Sequence, residues 1–351
     1  MQSAPTVAVF GAYGHTGRFV VAHLRERGYR TVVSGRDADR LAALAASAPG
    51  LVARPASVDD PAALDRALSG ASAVVNCAGP FATTAAPVIE AALRAGIPYV
   101  DVAAEIEANV DTFDRFSEPA RAAGTLVVPA MAFYGGLGDL LVSAAMGKDW
   151  AWADEAHIAY GLDSWHPTAG TRAAGAVSRE RRGGRRVRYT KGQLEYHDDS
   201  LPVLDWAFPE PLGLRPVLGE FTMADVVTVP SHLAIPEVVT YMTAEAARDL
   251  SAPDTPAPAP APELPSGTAD GPAPSSQTFV VDVRVRRSGE PERRVLAAGQ
   301  DIYAVSAPLA VEAVDRILSG RARGTGVLSA GETFDPSDFL GALAPHIRVD
   351  F

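Results

Sequence analysis

Apolar and polar residues in the first 130 positions switch repeatedly between two periods. Thr6-Val-Ala-Val-Phe10 is a short β-branched apolar run, which predicts a buried strand. Helical spacing follows, with Phe19, Val20, His23 and Leu24 on one face and Gly28 at the end. Thr31-Val-Val33 predicts the second strand. The alternation then continues with helices over 37–47, 60–68, 84–94 and 105–122 and strands over 51–53, 73–77, 99–102 and 126–128. Asp60-Pro61 reads as an N-cap with proline at the first helical position, and Gly96 as a helix stop. Such alternation predicts an α/β fold with a Rossmann-type doubly wound parallel sheet. Ligands of these sheets lie beyond the carboxyl ends of the strands, where Gly79-Pro80, Asp101 and Pro129 fall.

After about residue 132 the pattern changes. A helix is expected over 138–146, then longer alternating runs over 157–160, 187–196, 226–229, 279–285 and 294–297. They predict a second α+β domain on a mainly antiparallel sheet. A helix over 168–182 starts at Pro167-Thr168 and stops at Gly183-Gly184. Residues 251–276 are rich in Pro and Ala without hydrophobic period, which predicts an exposed, mobile loop. An amphipathic helix is expected over 301–318 and a short one over 335–343. The domains expected are therefore 1–133 for a nucleotide, 134–300 for substrate or dimerisation, and a helical segment 301–351 packing back near the cleft.

With 351 residues the chain can bury two cores. A net charge of −11 argues against general nucleic-acid binding. The single cysteine, Cys77, excludes an internal disulfide and fits a reducing cytoplasm. No apolar run reaches membrane-spanning length, and no leader peptide is evident. The seven histidines are scattered without metal-ligand spacing, so no metal is expected. A homodimer is expected as the commonest symmetric assembly.

Chemistry enters with Gly11-Ala-Tyr13-Gly14-His15-Thr16-Gly17, which joins the first strand to the first helix. Gly11 suits the tight turn, Gly14 close approach to a pyrophosphate, and Gly17 close packing of helix on strand. The free N–H groups and dipole of the helix start then point at phosphate. Ser34-Gly35-Arg36 ends the second strand, where NAD binders place an acidic residue for the ribose. Arg36 pairs with a 2′-phosphate and Ser34 hydrogen-bonds to it, whereas Asp37 is one position late and suits an N-cap. The expected cofactor is NADPH. By position, Ala78, Gly79 and Pro80 pass beneath the nicotinamide ribose, and Cys77 directly before them is counted with the cofactor-binding residues.

These pieces resemble the saccharopine dehydrogenase-like NADP-binding family. The matching residues are Val7–Arg18, Ser34-Gly35-Arg36, Val75-Asn-Cys-Ala-Gly-Pro-Phe81, Tyr99-Val-Asp101 and Val128-Pro-Ala130. Phe133-Tyr-Gly-Gly-Leu-Gly-Asp-Leu-Leu141 is similar to the family's link into its second domain. A bacterial oxidoreductase branch related to trans-acting enoyl reductases is resembled further at Asp301–Pro308 and Phe334–Leu340. One departure is Ala103-Ala104 before Glu105, where the family carries a small polar residue and glycine. The resemblance implies an NADP-dependent oxidoreductase that passes hydride to an activated C=C, C=O or C=N of a small or carrier-bound biosynthetic intermediate. The alternative is a non-catalytic NADP(H)-binding accessory or sensor protein.

A reductase also needs a proton donor. Tyr134 follows the last strand of the sheet and either protonates an intermediate or lines the pocket. Asp101 sits at a strand's carboxyl end and either acts chemically or caps the next helix. His166 occupies a strand-to-helix loop, as does His232 in its own segment; for both, a locally satisfied histidine is the alternative. Asp139 suits a helix cap. Cys77 at the end of a buried strand suits packing. Six arginines in Arg179–Arg188 form either a solvated hairpin tip or a positive patch that contacts an acyl carrier.

Overall fold

The computed structural model describes residues 4–261 and 275–351. Five β-α steps build the first domain: β1 (Thr6–Phe10), α1 (His15–Glu26), β2 (Arg30–Gly35), α2 (Ala38–Ser47), β3 (Val52–Pro55), α3 (Pro61–Leu68), β4 (Ala73–Asn76), α4 (Phe81–Ala95), β5 (Tyr99–Asp101), α5 (Ile106–Ala122) and β6 (Leu126–Val128). The caps read from sequence are present: Asp37 accepts from Arg40 N–H, Asp60 accepts from Ala63 N–H with Pro61 next, and Gly96 ends α4 at φ +64°.

The second part runs α6 (Gly138–Met146), β7 (Glu155–Leu162), α7 (Ala169–Arg181), β8 (Arg186–Thr190), β9 (Gln193–His197), β10 (Val203–Ala207), β11 (Leu214–Gly219), α8 (Asp225–Thr228), β12 (Glu237–Thr243), α9 (Ala244–Ser251), β13 (Thr278–Arg286) and β14 (Arg293–Gln300). The tail adds α10 (Ser306–Leu318), β15 (Gly326–Val327), α11 (Ala330–Thr333), α12 (Pro336–Gly341) and β16 (Ile347–Asp350).

The first sheet is parallel and seven-stranded, in the order β15-β6-β5-β4-β1-β2-β3. Alternate side chains of β1 serve opposite faces, as a pleated strand requires. Val7 and Val9 pack with Val20 and Leu24 of α1, whereas Ala8 and Phe10 pack with Leu64 of α3 and Val88 of α4. The second sheet has nine strands, with the path β10-β11-β12-β7-β13-β14-β16 and β8 joined to β12 and β9. Its pairings are antiparallel except that of β12 with β7. One continuous core runs from Val7 and Val9 through Phe133 and Leu140 to Ile158 and Val283, so the two sheets are packed on a shared interior.

Three expectations need correction. The run 226–229 is not a strand but the helical turn α8, which turns Val226 and Val229 into the core together while Asp225 bonds neighbouring elements. A four-residue apolar run does not fix its own period, and packing decides it. The span 187–196 is a hairpin, because Lys191 (φ +53°) and Gly192 (φ +77°) form a two-residue turn between paired Thr190 and Gln193. The last long helix starts at Ser306, since Asp301 (φ +59°) accepts from the N–H groups of Tyr303 and Ala304 and holds a turn there. Of the expected loop over 251–276, Ser251 closes α9, residues 252–261 are irregular, and 262–274 lie outside the described residues.

The tail does more than pack near the cleft as helix. It supplies an edge strand to each sheet, β15 beside β6 and β16 beside β14. α10 is fastened to the first domain by Arg27–Glu312 at 2.6 Å and by Tyr29 Oη donating to Asp315 at 2.6 Å. No helix among the described residues is long and apolar enough to cross a membrane.

Candidate dinucleotide site and interdomain cleft

The turn after β1 is built by contact. Gly11 adopts φ +81° and donates its N–H to the Ser34 carbonyl at 2.8 Å. A Cβ on Gly11 would lie 2.8 Å from Ala78 N, and one on Gly17 would lie 2.2 Å from the Gly11 carbonyl oxygen. The turn, the first helix and the loop after β4 therefore meet backbone to backbone. Gly14 is the N-cap of α1, no side chain caps the helix, and its first turn holds no acidic residue. Open N–H groups and the positive end of the dipole are thus left for an anion, and a pyrophosphate fits this floor. His15 and Thr16 begin the helix beside it.

At the end of β2 the Ser34 hydroxyl is buried without a protein partner. Arg36 is exposed beyond it. Tyr13 lies against Gly35, where a Cβ would come 2.9 Å from its ring, and the Arg40 guanidinium stands 4.5 Å from the Tyr13 ring centroid. Two cations beside an unpartnered hydroxyl suit a ribose 2′-phosphate. Arg40 escaped the sequence reading, although its place one turn into α2, four residues after Arg36, was a usable signal.

At the other end, Ala78 N–H donates to Asn76 Oδ1 at 3.0 Å and Thr84 Oγ1 donates to the Ala78 carbonyl. Glu105 accepts the Phe81 N–H at 2.9 and 3.1 Å with its two oxygens, which fixes the start of α4 just after Gly79-Pro80. Burial pushes this carboxyl from 4.5 up to about 7, against the opposing pull of the Phe81 N–H. Burial likewise pushes the Cys77 thiol up, with the Asp101 charge acting in the same sense, so Cys77 is no ready nucleophile.

Asp101 is 1% exposed. Its Oδ1 accepts from Ala103 N–H at 3.0 Å and Ala130 N–H at 2.8 Å, and its Oδ2 accepts from Tyr99 Oη at 2.8 Å. Both oxygens are engaged by the protein, so Asp101 ties the loop after β5 to the loop after β6. The residue at the α5 N-cap is Glu105, not Asp101.

Tyr134 lies in an aromatic cluster, stacked on Trp165 at 5.3 Å between centroids and edge-on to Phe133 and Tyr160. Its hydroxyl is buried without a partner, and burial pushes its pKa well up. His166 is exposed and makes no side-chain hydrogen bond among the described residues. His232 Nε2 bonds Asp139 Oδ1 at 2.7 Å, and Asp139 Oδ2 accepts Gly331 N–H at 2.7 Å, so these two join α6 to the tail. Tyr134, Asp101 and His166 are therefore in three different settings rather than one constellation.

Other groups meet where the two domains join instead. The His15 ring meets the Tyr303 ring edge-on at 5.1 Å, and burial holds the imidazole below its ordinary pKa. Tyr303 Oη in turn bonds Trp165, Thr168 and Thr171. α7 begins beside these groups and is tied to α5 by Ser178 Oγ donating to Glu107 and by Arg181–Asp111 at 2.8 Å. Within Arg179–Arg188, Arg181, Arg182 and Arg188 face Asp111, Glu107 and Glu195 respectively, Arg185 lies over the Tyr196 ring, and Arg186 donates to the Asp199 carbonyl. Half of the expected positive patch is thereby neutralised locally.

Residues 7–128 match the saccharopine dehydrogenase NADP binding domain family. Similar proteins include the saccharopine dehydrogenase-like oxidoreductase of Bos taurus, 28% identical over 145 residues, or 36% of this chain and 34% of that protein. The trans-acting enoyl reductase of Mycobacterium ulcerans (strain Agy99) is 28% identical over 136 residues, covering 36% and 32%. The matches span about one third of the length of these curated relatives. The apo saccharopine dehydrogenase (L-Glu forming) from Saccharomyces cerevisiae is similar in fold, with a TM-score of 0.65 at 12% identity over 99% of this chain and 100% of that one.

Proposed function

We propose, from the match of residues 7–128 to the saccharopine dehydrogenase NADP binding domain family, that the protein is an NADPH-dependent reductase working between its two sheets. The observation that carries this reading is the glycine turn, whose backbone contacts leave an uncapped helix start open to a pyrophosphate. When bound, NADPH supplies a hydride. Gly11, Gly14, His15, Thr16 and Gly17 would seat its pyrophosphate, Ser34, Arg36 and Arg40 its 2′-phosphate, and Ala78-Gly79-Pro80 its nicotinamide end. Tyr134, Trp165 and α7 would keep water from the reacting carbon.

The acceptor class proposed first is a C=C conjugated to a carbonyl, with C=O and C=N next; similarity to trans-acting enoyl reductases supports this order. Carrier-bound acceptors belong to the proposal as well, with Arg179, Arg185 and Arg186 as the arginines of the stretch Arg179–Arg188 without a carboxylate partner among the described residues. Mixing the protein and NADPH with enones, ketones and imines and following the loss of nicotinamide absorbance tests the reading. Turnover of at least one class is expected. NADPH binding without turnover of any of them would favour the accessory or sensor role instead.

A further inference from the structure

Tyr303 stands in the turn before α10, and its hydroxyl has an uncommon set of partners. Trp165 Nε1 lies 3.1 Å from the phenol oxygen and Thr168 N 3.2 Å from it. An indole N–H and a backbone N–H can only donate, so together they occupy the acceptor capacity of that oxygen. The phenol proton can then only be given away. Thr171 Oγ1, 3.0 Å from the phenol oxygen and 2.9 Å from Thr168 Oγ1, is the group placed to take it. The other cleft tyrosines differ: the Tyr134 hydroxyl has no partner, and Tyr160 donates to Asp225 at 2.7 Å. Tyr303 also touches the dinucleotide side, because its ring meets His15, the first residue of α1.

We infer that Tyr303 is the proton donor of the reduction, held in the donating sense by Trp165 and Thr168, and that the carbonyl oxygen of a conjugated enone takes the place of Thr171 Oγ1 as the acceptor of its proton. This rests on the reductase reading above. In the step, the β-carbon of the acceptor takes hydride from reduced nicotinamide, the C=C electron pair moves toward the carbonyl, and the carbonyl oxygen takes the Tyr303 proton. The enol so formed tautomerises to the saturated ketone. The phenolate left behind is stabilised by the two N–H donors and regains a proton from water through the Thr171 hydroxyl.

A matched pair of acceptors tests this in the full chain. 4-Phenyl-3-buten-2-one needs an acid at its oxygen, whereas β-nitrostyrene gives a stabilised nitronate that needs none. Tyr303→Phe should lower reduction of the enone by about 10²–10³-fold and of the nitroalkene by less than about threefold. Calorimetry on cofactor-free protein should show 4-phenyl-2-butanone binding weakened about threefold or more, since a neutral hydrogen bond to its carbonyl is lost. If Tyr303→Phe does not keep the wild-type circular dichroism, Tyr303→Gln, an acceptor for both N–H groups but no acid, is read by the same split. Equal losses on both acceptors, or an unchanged enone rate, overturn the role of Tyr303. Failure of the wild-type protein to reduce either acceptor overturns the conjugated-alkene acceptor and the Tyr303 role with it, and failure to turn over enones, ketones and imines alike overturns the reductase reading.

Discussion

Gly17→Ala is expected to lower NADPH affinity by at least about a hundredfold and stability by about 2 kcal/mol. The new Cβ would sit 2.2 Å from the Gly11 carbonyl oxygen and 3.0 Å from Ala12 Cα. Both neighbours are backbone, so no side chain can swing aside. Either the start of α1 lifts off the turn or the turn itself shifts, and Gly11 has no room because Ala78 lies behind it. Losing two backbone N–H bonds to phosphate oxygens costs about 3 kcal/mol of binding, which is the hundredfold quoted. Fluorescence titration with NADPH and urea unfolding check the two parts separately. An affinity within about threefold of wild type would mean that phosphate does not sit on this helix.

Asp101→Ala should destabilise the protein by about 4 kcal/mol, because the carboxylate serves three buried donors that no other group reaches: Ala103 N–H, Ala130 N–H and Tyr99 Oη. Ala130 adds to the cost. It holds φ +55°, unusual for alanine, and its carbonyl accepts from Gly136 N–H at 2.8 Å in the link to the second domain. Asp101→Asn keeps one oxygen for the two N–H groups and should cost about half as much. Burial pushes the Asp101 carboxyl from 3.8 up to about 6. A raised acid favours its protonated form in the folded state, so this group's contribution to stability is greatest below pH 3.8 and declines as pH rises to about 6. Urea unfolding of both variants at pH 7 checks the order alanine, asparagine, wild type. Wild-type stability in Asp101→Ala together with lost turnover would instead make Asp101 a chemical group.

The parts of the site that could be read from the chain are those made within one β-α step. Gly11, Gly14 and Gly17 lie six residues apart end to end, and Ser34 and Arg36 close the next strand. Such short-range patterns carry their geometry with them, which is also why the parallel sheet and its caps were legible. The second domain was less so. Strand β12 pairs with β7 far back in the chain, Glu237 opposite Glu155, whereas β10 and β11 form a local hairpin, Ala207 opposite Leu214, that the apolar pattern did not mark; nothing local told Val226–Val229 apart from a strand. The proton donor shows the same limit. Tyr303 acquires its character from Trp165, 138 residues earlier, and from a backbone N–H at Thr168. Asp101 was visible as a polar residue at a strand end, but only the positions of Ala103, Ala130 and Tyr99 show that its oxygens are engaged.

The most direct measurement is a titration of wild type and Arg36→Ala with NADPH and NADH, followed by nucleotide fluorescence. Tighter binding of NADPH than NADH is predicted in the wild type, with Arg36→Ala weakening NADPH by about ten- to a hundredfold and leaving NADH within about threefold. Equal binding of the two nucleotides, or binding of neither, would contradict the assignment of the turn and of Ser34, Arg36 and Arg40 to an NADP site.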